Sequence, residues 1–409
     1  MGIHEQSVVL NSKEAVLNAI ADEVSVPSDL DRAARNRYAS IGDWLLRPES
    51  GVRHLKPRIY AQGSFQLGTA VRPTTSDGAY DADVVVCLTE ATRHNFSQAE
   101  LKRLLGTEIQ AYAVANGMRN APKPSRRCWT IEYADRASFH IDLLPCVPAE
   151  ELFRSRYSRL EADDYERFLR LARTAVAITD DKHPGFFEND ADWLLSNPKG
   201  FAAWFREQQR EIFEQERKRL ADAGQVVASI EQIPIHAVRT PLQTVLKLLK
   251  RHRDVRFEGR DHAPISVIIA TLAGQAYAGQ SSVCDTLASV LPRMYSTFLS
   301  LGPEPRILNP SLPQENFADK WVEQPAKRAA FGEWLEDAQS TFGSYLTLAA
   351  FDEIPDALTS AVSTQAIDAI RPRLGGPVER GRVSATAAAA SEASRVRSEG
   401  AGTRPWSVE

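Results

Sequence analysis

The sequence lacks the features that mark secreted and membrane proteins. It has only four cysteines in 409 residues, none of them in a CxxC pair, a pattern typical of reduced thiols rather than of a disulfide framework or a zinc site. It has no run of 18 or more apolar residues, so no membrane span is expected. Its first residues show no basic start followed by an apolar stretch, so no secretory signal is expected. These absences predict a cytoplasmic protein.

Positive charge is not in excess either. The chain has 49 Lys and Arg against 53 Asp and Glu, a net charge of −4. A protein that grips nucleic acid through its surface needs a surplus of cations, so no stable nucleic-acid partner is expected. The apolar and charged fractions, 43% and 25%, are those of an ordinary globular protein with material for two or three domains.

The pattern along the chain separates a mixed region from a helical one. Helices are predicted over 10–22 and 28–46, the second with Ser28 as its N-cap. Residues 58–144 predict a small mixed sheet with helices on one side. The rest is mostly helical and includes a long charged helix over 199–222. We therefore predict an α+β protein in four parts: N-terminal helices packing across both lobes (1–50), a core (51–178), a helical lobe (179–372) and a disordered tail (373–409).

Two acidic residues begin a strand with a β-branched interior. Asp81 and Asp83 lie two positions apart, so both carboxylates project from one face of that strand, roughly 6–7 Å apart. Their mutual repulsion would be relieved by a bound divalent cation. Two solvated acids at the entry to a strand would be the structural alternative.

Two further features accompany this pair. Gly63-Ser64 lies in a turn after a strand, where backbone N–H groups and a hydroxyl can cradle a phosphate, although such turns are common. Asp142 lies within an apolar strand, where an ionised carboxylate is costly unless it is paired or binds a metal. Arg127 and His140 are the candidate partners if its role is structural.

Together the three carboxylates suit a metal-dependent group transfer. Asp81, Asp83 and Asp142 on adjacent strands can hold two Mg²⁺ ions, with Mn²⁺ as a substitute. One ion would activate an attacking ribose hydroxyl, and the other would neutralise the triphosphate and the leaving pyrophosphate. The pattern therefore predicts transfer of a nucleotide from a nucleoside triphosphate to a hydroxyl.

The same residues resemble the signature of the DNA polymerase beta-like nucleotidyltransferases. Longer strings resemble the bacterial CD-NTases of the CBASS anti-phage systems, cyclic oligonucleotide synthases related to cyclic GMP-AMP synthase and 2′-5′-oligoadenylate synthetase. The spacing between Ser64 and Asp81 is long for this pattern. The strings are QGSFQLGTAVRP (62–73), DADVVV (81–86), HIDLLP (140–145), LKLLKRHRD (246–254), PISVII (264–269) and, within 309–321, NP followed by ENFADKW.

This resemblance implies a polymerase beta-like core joined to a helical lobe like that of 2′-5′-oligoadenylate synthetase. It implies that Asp81, Asp83 and Asp142 are catalytic residues and metal ligands. The resemblance makes Lys250 a candidate for nucleotide binding, and the alternative is that it belongs to a solvated basic face. Ser266 could cap a helix or donate to a phosphate, and segment 309–321 could line the pocket or serve packing. The nucleotide-binding candidates are Gln62, Gly63, Ser64, Lys250 and Ser266.

The function implied is synthesis of a cyclic di- or trinucleotide second messenger from nucleoside triphosphates. The product would reach a separate effector protein, and accessory proteins of CBASS systems are further partners. The alternatives are a related transferase that acts on an RNA end, a small molecule or a protein, and a catalytically silent nucleotide-binding module. Base preference cannot be read from these residues; Tyr80, beside the acidic strand, is the one aromatic candidate for base stacking.

Overall fold

The structure is a computed structural model, and it describes residues 3–75, 78–133, 138–157, 165–222, 238–348, 358–359 and 361–374. Most of the predicted disordered tail, from residue 375 onward, lies outside these ranges. None of the helices in them is long and apolar enough to cross a membrane.

Two helices open the chain, α1 (Ile3–Val24) and α2 (Ser28–Leu46). The prediction that Ser28 caps α2 is wrong. Ser28 is the first helical residue, and Pro27 before it makes no side-chain capping bond. Proline suits this boundary because its ring fixes an extended entry and it has no N–H to satisfy.

The core is built on a mixed sheet that is larger than predicted. Within the described ranges seven strands form it, namely β1 (Pro57–Ala61), β2 (Tyr80–Leu88), β3 (Lys123–Pro124), β4 (Trp129–Tyr133), β5 (Phe139–Pro148), β6 (Val176–Ile178) and β7 (Leu194–Ser196). Their order is β1-β2-β5-β4-β3, with β6 beside β5 and β7 beside β6. β2 and β5 run parallel, and the other pairs are antiparallel.

The two faces of this sheet have different coverings. One face packs against α2 and against α4 (Gln98–Ala115), which starts at a capping box formed by Ser97 and Glu100. The other face carries a small apolar cluster that includes the buried, free thiols of Cys87 and Cys146. Since alternate residues share a face, Asp83 lies on this second face, in line with Val85 and Cys87.

The second lobe is mainly helical. The predicted single helix over 199–222 is two helices, because the helical conformation is interrupted at Gln209. A short hairpin of β8 (Leu308–Asn309) and β9 (Leu312–Asn316) interrupts the lobe. Helix α3 (Gly63–Leu67) belongs to the core, and α5 (Glu150–Tyr157) and α6 (Tyr165–Thr174) border it. The helices of the second lobe are α7 (Pro198–Gln208), α8 (Arg210–Asp222), α9 (Pro241–Arg256), α10 (Ser266–Ala276), α11 (Val283–Ser300), α12 (Lys320–Glu323), α13 (Pro325–Thr347) and α14 (Thr364–Leu374).

The N-terminal helices contact both lobes. Leu17 and Ile20 of α1 lie in the apolar core of the helical lobe, against α9, α11 and α14. Ile41 and Leu45 of α2 lie in the core beneath the sheet, against β1 and α4. The boundaries between the four predicted parts stay a prediction.

The junction between the lobes also holds the segment that follows α3. Ser25, after α1, forms an isolated β-bridge with Val71. The Lys247 ammonium donates a 2.9 Å hydrogen bond to the Ser25 hydroxyl, and Arg251 donates to the Arg72 carbonyl at 2.9 Å. The segment after α3 is therefore fixed between α1 and α9.

Candidate functional site

The three predicted aspartates lie on one face of the core sheet. Asp83 of β2 is directly opposite Asp142 of β5 in the parallel pair, and Asp81 is opposite His140. Neighbouring strands are about 4.8 Å apart, so Asp83 and Asp142 are close neighbours. The predicted strand geometry of the pair Asp81 and Asp83 is therefore observed.

Two of these carboxylates have polar partners. The Thr130 hydroxyl of β4 donates a 2.5 Å hydrogen bond to Asp142 Oδ1. His140 Nδ1 lies 3.3 Å from Asp81 Oδ1, and the Asp81 side chain is 82% exposed. Neither partner proposed for Asp142 is correct, because His140 faces Asp81 and Arg127 binds a different carboxylate, Asp180.

The carboxylates repel each other. The pKa of Asp83 is raised to about 6, first by burial and then by the charges of Asp142 and Asp81. Although the Asp81 carboxylate reaches solvent, the protein packed around its base partly desolvates it and raises its pKa, while His140 acts to lower that pKa. A cation bound between these carboxylates would relieve the repulsion among them. Even so, no three His, Cys, Asp or Glu side chains in the described ranges are arranged to hold a metal ion.

The Gly63-Ser64 turn packs tightly against this acidic face. Gly63 opens α3 with a left-handed φ of +62°, and a Cβ added there would lie 2.8 Å from Asp83 Oδ2. The Gln62 N–H donates a 2.8 Å hydrogen bond to the Asp83 carbonyl. Only glycine combines this φ with so close an approach, so the position of Asp83 requires glycine at position 63.

The helical lobe holds α3 from the other side. Gln243 of α9 donates a 2.9 Å hydrogen bond from Nε2 to the Leu67 carbonyl. Lys250 Nζ donates to the Thr69 carbonyl at 3.0 Å and to the Thr69 hydroxyl at 2.9 Å. Lys250 is only 3% exposed, which excludes a solvated basic face. Its pKa is lowered to about 7, first by burial and then by Arg253.

A cleft of about 270 Å³ lies between the lobes. It brings together six of the eight predicted site residues, because α3 and β2 form one wall while α9 and α10 form another. Asp81 and Asp142 are not among the described residues that line it. The predicted residues that line it are Gln62, Gly63, Ser64, Asp83, Lys250 and Ser266.

Ser266 does not cap its helix. It is the first residue of α10, which has Ile265 as its N-cap and no side-chain capping bond. Its hydroxyl accepts a 2.7 Å hydrogen bond from Arg253 Nη1 instead. Capping is therefore the wrong alternative, and a contact with phosphate stays a prediction.

The sequence analysis missed part of the lining. Asn197 and Phe201 reach the cleft from the start of α7, a segment that carries no motif. Within 309–321 both alternatives hold for different residues. Phe317 lines the cleft, whereas Trp321 is buried against Phe298 and Phe331 of the helical lobe.

Tyr80 is not among the described residues lining this cleft. Its ring stacks on that of Phe139, with centroids 5.0 Å apart. This contact gives the side chain a packing role at the start of β2, and nothing in its position supports base stacking in the cleft.

Comparison with known proteins finds similar nucleotidyltransferases. The model of the cyclic GMP-AMP synthase DncV-like nucleotidyltransferase domain matches residues 57–146, the region of the sheet with all three aspartates. The c-di-GMP synthase of Roseivirga ehrenbergii is 26% identical over 326 residues, which cover 78% of this chain and 76% of that protein.

Two solved structures share the fold. The CD-NTase CdnG of Bradyrhizobium diazoefficiens, solved with GTP, matches with a TM-score of 0.65 and 19% identity, over 89% of this chain and 99% of that one. CdnC of Escherichia coli, solved with a HORMA protein, matches with a TM-score of 0.55 and 13% identity, over 86% and 96%. The predicted fold, a polymerase beta-like core with a helical lobe, is confirmed.

Proposed function

We propose that this chain, which belongs to the CD-NTase family, joins nucleoside triphosphates into a cyclic di- or trinucleotide second messenger. The observation that carries this proposal is one cleft lined by Gly63, Ser64, Asp83 and Lys250. These residues offer a phosphate cradle, a carboxylate and a cation within one binding volume. The similarity to a c-di-GMP synthase and to the structure of CdnG in complex with GTP supports nucleoside triphosphates as the substrate class.

The acidic face fits divalent metal ions in its chemistry. Carboxylate oxygens are the ligands that Mg²⁺ and Mn²⁺ prefer. Burial raises the pKa of Asp83 most, and the charges of Asp142 and Asp81 add a repulsion that a cation would remove. We propose that Asp81, Asp83 and Asp142 hold two Mg²⁺ ions, with Mn²⁺ as a substitute. When bound, such ions neutralise the triphosphate and acidify the attacking hydroxyl.

The other residues of the cleft position the donor nucleotide. Gln62, Gly63 and Ser64 line the same volume as Asp83. Since the Gln62 N–H is bound to the Asp83 carbonyl, the N–H groups of Gly63 and Ser64 and the Ser64 hydroxyl would receive a triphosphate and place its α-phosphate beside the acidic face. Lys250 would turn from Thr69 toward the phosphates. Their negative charge would raise its pKa and favour the ammonium form.

The acceptor hydroxyl belongs on the side of Asp142. Thr130 holds one oxygen of that carboxylate and leaves the other oxygen for the acceptor or its metal. A second transfer in the same cleft, after the linear product turns around, would close the ring. By family, the product would act on a separate effector in the cytoplasm during anti-phage defence, and accessory proteins of such systems would be partners.

The test is synthesis by the purified full chain. The protein is incubated with Mg²⁺ and each labelled nucleoside triphosphate, alone and with the other three, and the products are treated with phosphatase and separated. A phosphatase-resistant product is expected from the wild type and is expected to vanish in Asp83→Asn. Asp261→Asn changes an exposed aspartate in the loop before α10 and should leave the product intact.

Other outcomes would point elsewhere. A linear product, or label transferred only to added RNA, protein or small-molecule acceptors, would replace the synthase with a transferase of another acceptor. Tight binding of nucleotides without any turnover, in the presence of Mg²⁺, would indicate a silent binding module. Equal product from Asp83→Asn and the wild type would refute the mechanism.

A further inference from the structure

Part of the cleft lining is aromatic. Phe201 of α7 and Phe317, after β9, pack edge to face with ring centroids 6.1 Å apart. Val267 and Ala270 of α10 add apolar surface to the same volume. An aromatic and aliphatic lining is what a nucleobase needs, since its faces are apolar and its edges carry the polar groups.

A charged side chain lines the same cleft. Glu315 of β9 lines the cleft and is only partly exposed. Burial raises the pKa of Glu315, and the hydrogen bond from Asn309 opposes that shift. A carboxylate at such a place is costly unless donors reach its oxygens. It therefore calls for a ligand with N–H or O–H groups.

The orientation of Glu315 is fixed by a network of amides. Asn309, 5% exposed, donates from Nδ2 to Glu315 Oε2 at 2.6 Å. The other end of the same amide accepts 2.8 Å hydrogen bonds from the N–H and the hydroxyl of Ser311. Because both ends of the amide are used, it cannot flip, and it holds the carboxylate in one position.

The second oxygen of Glu315 is left open to the cleft. Among the described residues, Glu315 Oε1 has no hydrogen-bond partner, and Arg127, whose charge acts to lower the pKa of Glu315, is paired with Asp180 instead. Oε2 keeps a further lone pair beyond the one used by Asn309. The carboxylate can therefore accept two parallel hydrogen bonds from a ligand.

We propose that Glu315 selects guanine, accepting hydrogen bonds from its N1–H and its 2-amino group. This inference rests on the proposed function and names the base that the donor site takes. Guanine is the base whose Watson–Crick edge presents two adjacent N–H donors. Adenine and cytosine place a lone pair beside their amino group, and uracil flanks its single N–H with carbonyls, so each would set an acceptor against the carboxylate.

The test measures binding, so it requires no turnover. The probes are the α,β-methylene analogues of GTP, ITP and ATP, which cannot be cleaved between the α- and β-phosphates. ITP lacks the 2-amino group and is otherwise identical to GTP. The wild-type full chain should bind the GTP analogue at least about tenfold more tightly than the ITP analogue, the usual value of one hydrogen bond to a charged group.

Variants at Glu315 should remove this preference. In Glu315→Gln, which replaces one acceptor with a donor, the ratio of GTP to ITP affinities should fall to about one or two. Binding of the ATP analogue should be unchanged or improved. The control is Gln66→Ala, a second polar residue of the lining, which should leave the ratio at its wild-type value.

Three results would overturn the proposal. The wild type could bind the GTP and ITP analogues equally, or prefer the ATP analogue. The preference for guanine could persist in Glu315→Gln. All three analogues could lose affinity equally in that variant, which would make Glu315 a ribose contact or a structural support. A protein that prefers guanine in binding but makes no product from triphosphates would refute the synthase and leave this inference standing.

Discussion

The two walls of the cleft carry opposite charges, and burial disfavours the charge on each. The core wall is formed by α3 and β2, and the helical wall is formed by α9 and α10. On the core wall, burial and like charges raise the pKa of Asp83 to about 6. On the helical wall, burial and Arg253 lower the pKa of Lys250 to about 7. The attraction between the two is the smallest named influence on either pKa. The walls therefore do not neutralise each other, and each is suited to a ligand of opposite charge.

The opposite charges of the two walls indicate which kind of ligand the cleft is suited to bind. A divalent cation would stabilise the core wall, and a polyphosphate would stabilise the helical wall. A nucleoside triphosphate with its metal ions provides both charges in one ligand. Substitutions that change one wall and leave the other intact should separate the two contributions.

The largest effect is expected from removing the charge of the core wall. Asp83→Asn keeps the shape of the side chain, and we expect turnover to fall by at least about a thousandfold because the group at the reacting centre loses its charge. The free energy of unfolding should stay the same or rise, because a buried, repelled carboxylate is gone. Initial rates measure the turnover, and urea denaturation measures the free energy of unfolding. A rate within tenfold of wild type would contradict the assignment of Asp83 to the metal site.

The core wall was largely predictable from sequence. Asp81 and Asp83 share a face because strand side chains alternate, and their position opposite Asp142 followed from the motif. The turn at Gly63-Ser64 was also predictable, because the Gly-Ser pair follows a strand, but its close approach to Asp83 was not. These relations are local to two or three elements, which is the range over which sequence periodicity is informative.

The helical wall was less predictable. Asn197 and Phe201 carry no motif, and they reach the cleft only because α7 docks beside α3. Strands β6 and β7 were missed because segments of three residues are too short to establish a period. The role of Ser266 depended on Arg253, a partner on another helix. Contacts between lobes are set by tertiary packing, which a single sequence does not display.

The second prediction disturbs the core wall without changing a charge. Gly63 and Gly117 both have left-handed φ values, +62° and +60°, so each alanine variant should lose about 1 kcal/mol of unfolding free energy. Only at Gly63 does the new Cβ meet an atom, 2.8 Å from Asp83 Oδ2; at Gly117 nothing lies within 4 Å. Turnover should fall about 10- to 100-fold in Gly63→Ala, as expected for a displaced catalytic group.

The paired variant makes this comparison quantitative. Gly117→Ala should keep wild-type turnover within twofold while showing a similar loss in urea denaturation. Equal activity in the two variants would mean that the close approach of Gly63 to Asp83 has no part in catalysis.

The third prediction removes the charge of the helical wall. An unfolded lysine titrates near 10.5 and the folded Lys250 near 7, so between these values the unfolded chain binds more protons. Stability should therefore rise with pH from about 7 to 10.5 and be lost as pH falls, at up to about 1.4 kcal/mol per pH unit. In metal-free buffer, Lys250→Met should reduce this slope, measured by urea denaturation across that range.

Lys247 is the matched control for this variant. Its pKa is also lowered to about 7 by burial, but its ammonium binds Ser25 and it is not among the described residues lining the cleft. Lys247→Met should reduce the pH slope in the same way and leave the KM for nucleoside triphosphates unchanged. Lys250→Met should raise that KM about tenfold. Equal KM values for the two variants would place the phosphates away from Lys250.

The smallest effect is expected from Ser266, also on the helical wall. In Ser266→Ala, Arg253 loses a 2.7 Å hydrogen bond but keeps the Pro264 carbonyl at 3.1 Å and the Asp254 carboxylate at 2.6 Å. A guanidinium with those two partners should stay in place, so the loss should be about 1 kcal/mol of unfolding free energy at most. If Ser266 only orients Arg253, the KM for nucleoside triphosphates should change less than about threefold. A tenfold rise in KM with unchanged stability would instead mean that the hydroxyl itself donates to a phosphate, and the helical wall would then bind phosphate through a neutral donor as well as through Lys250.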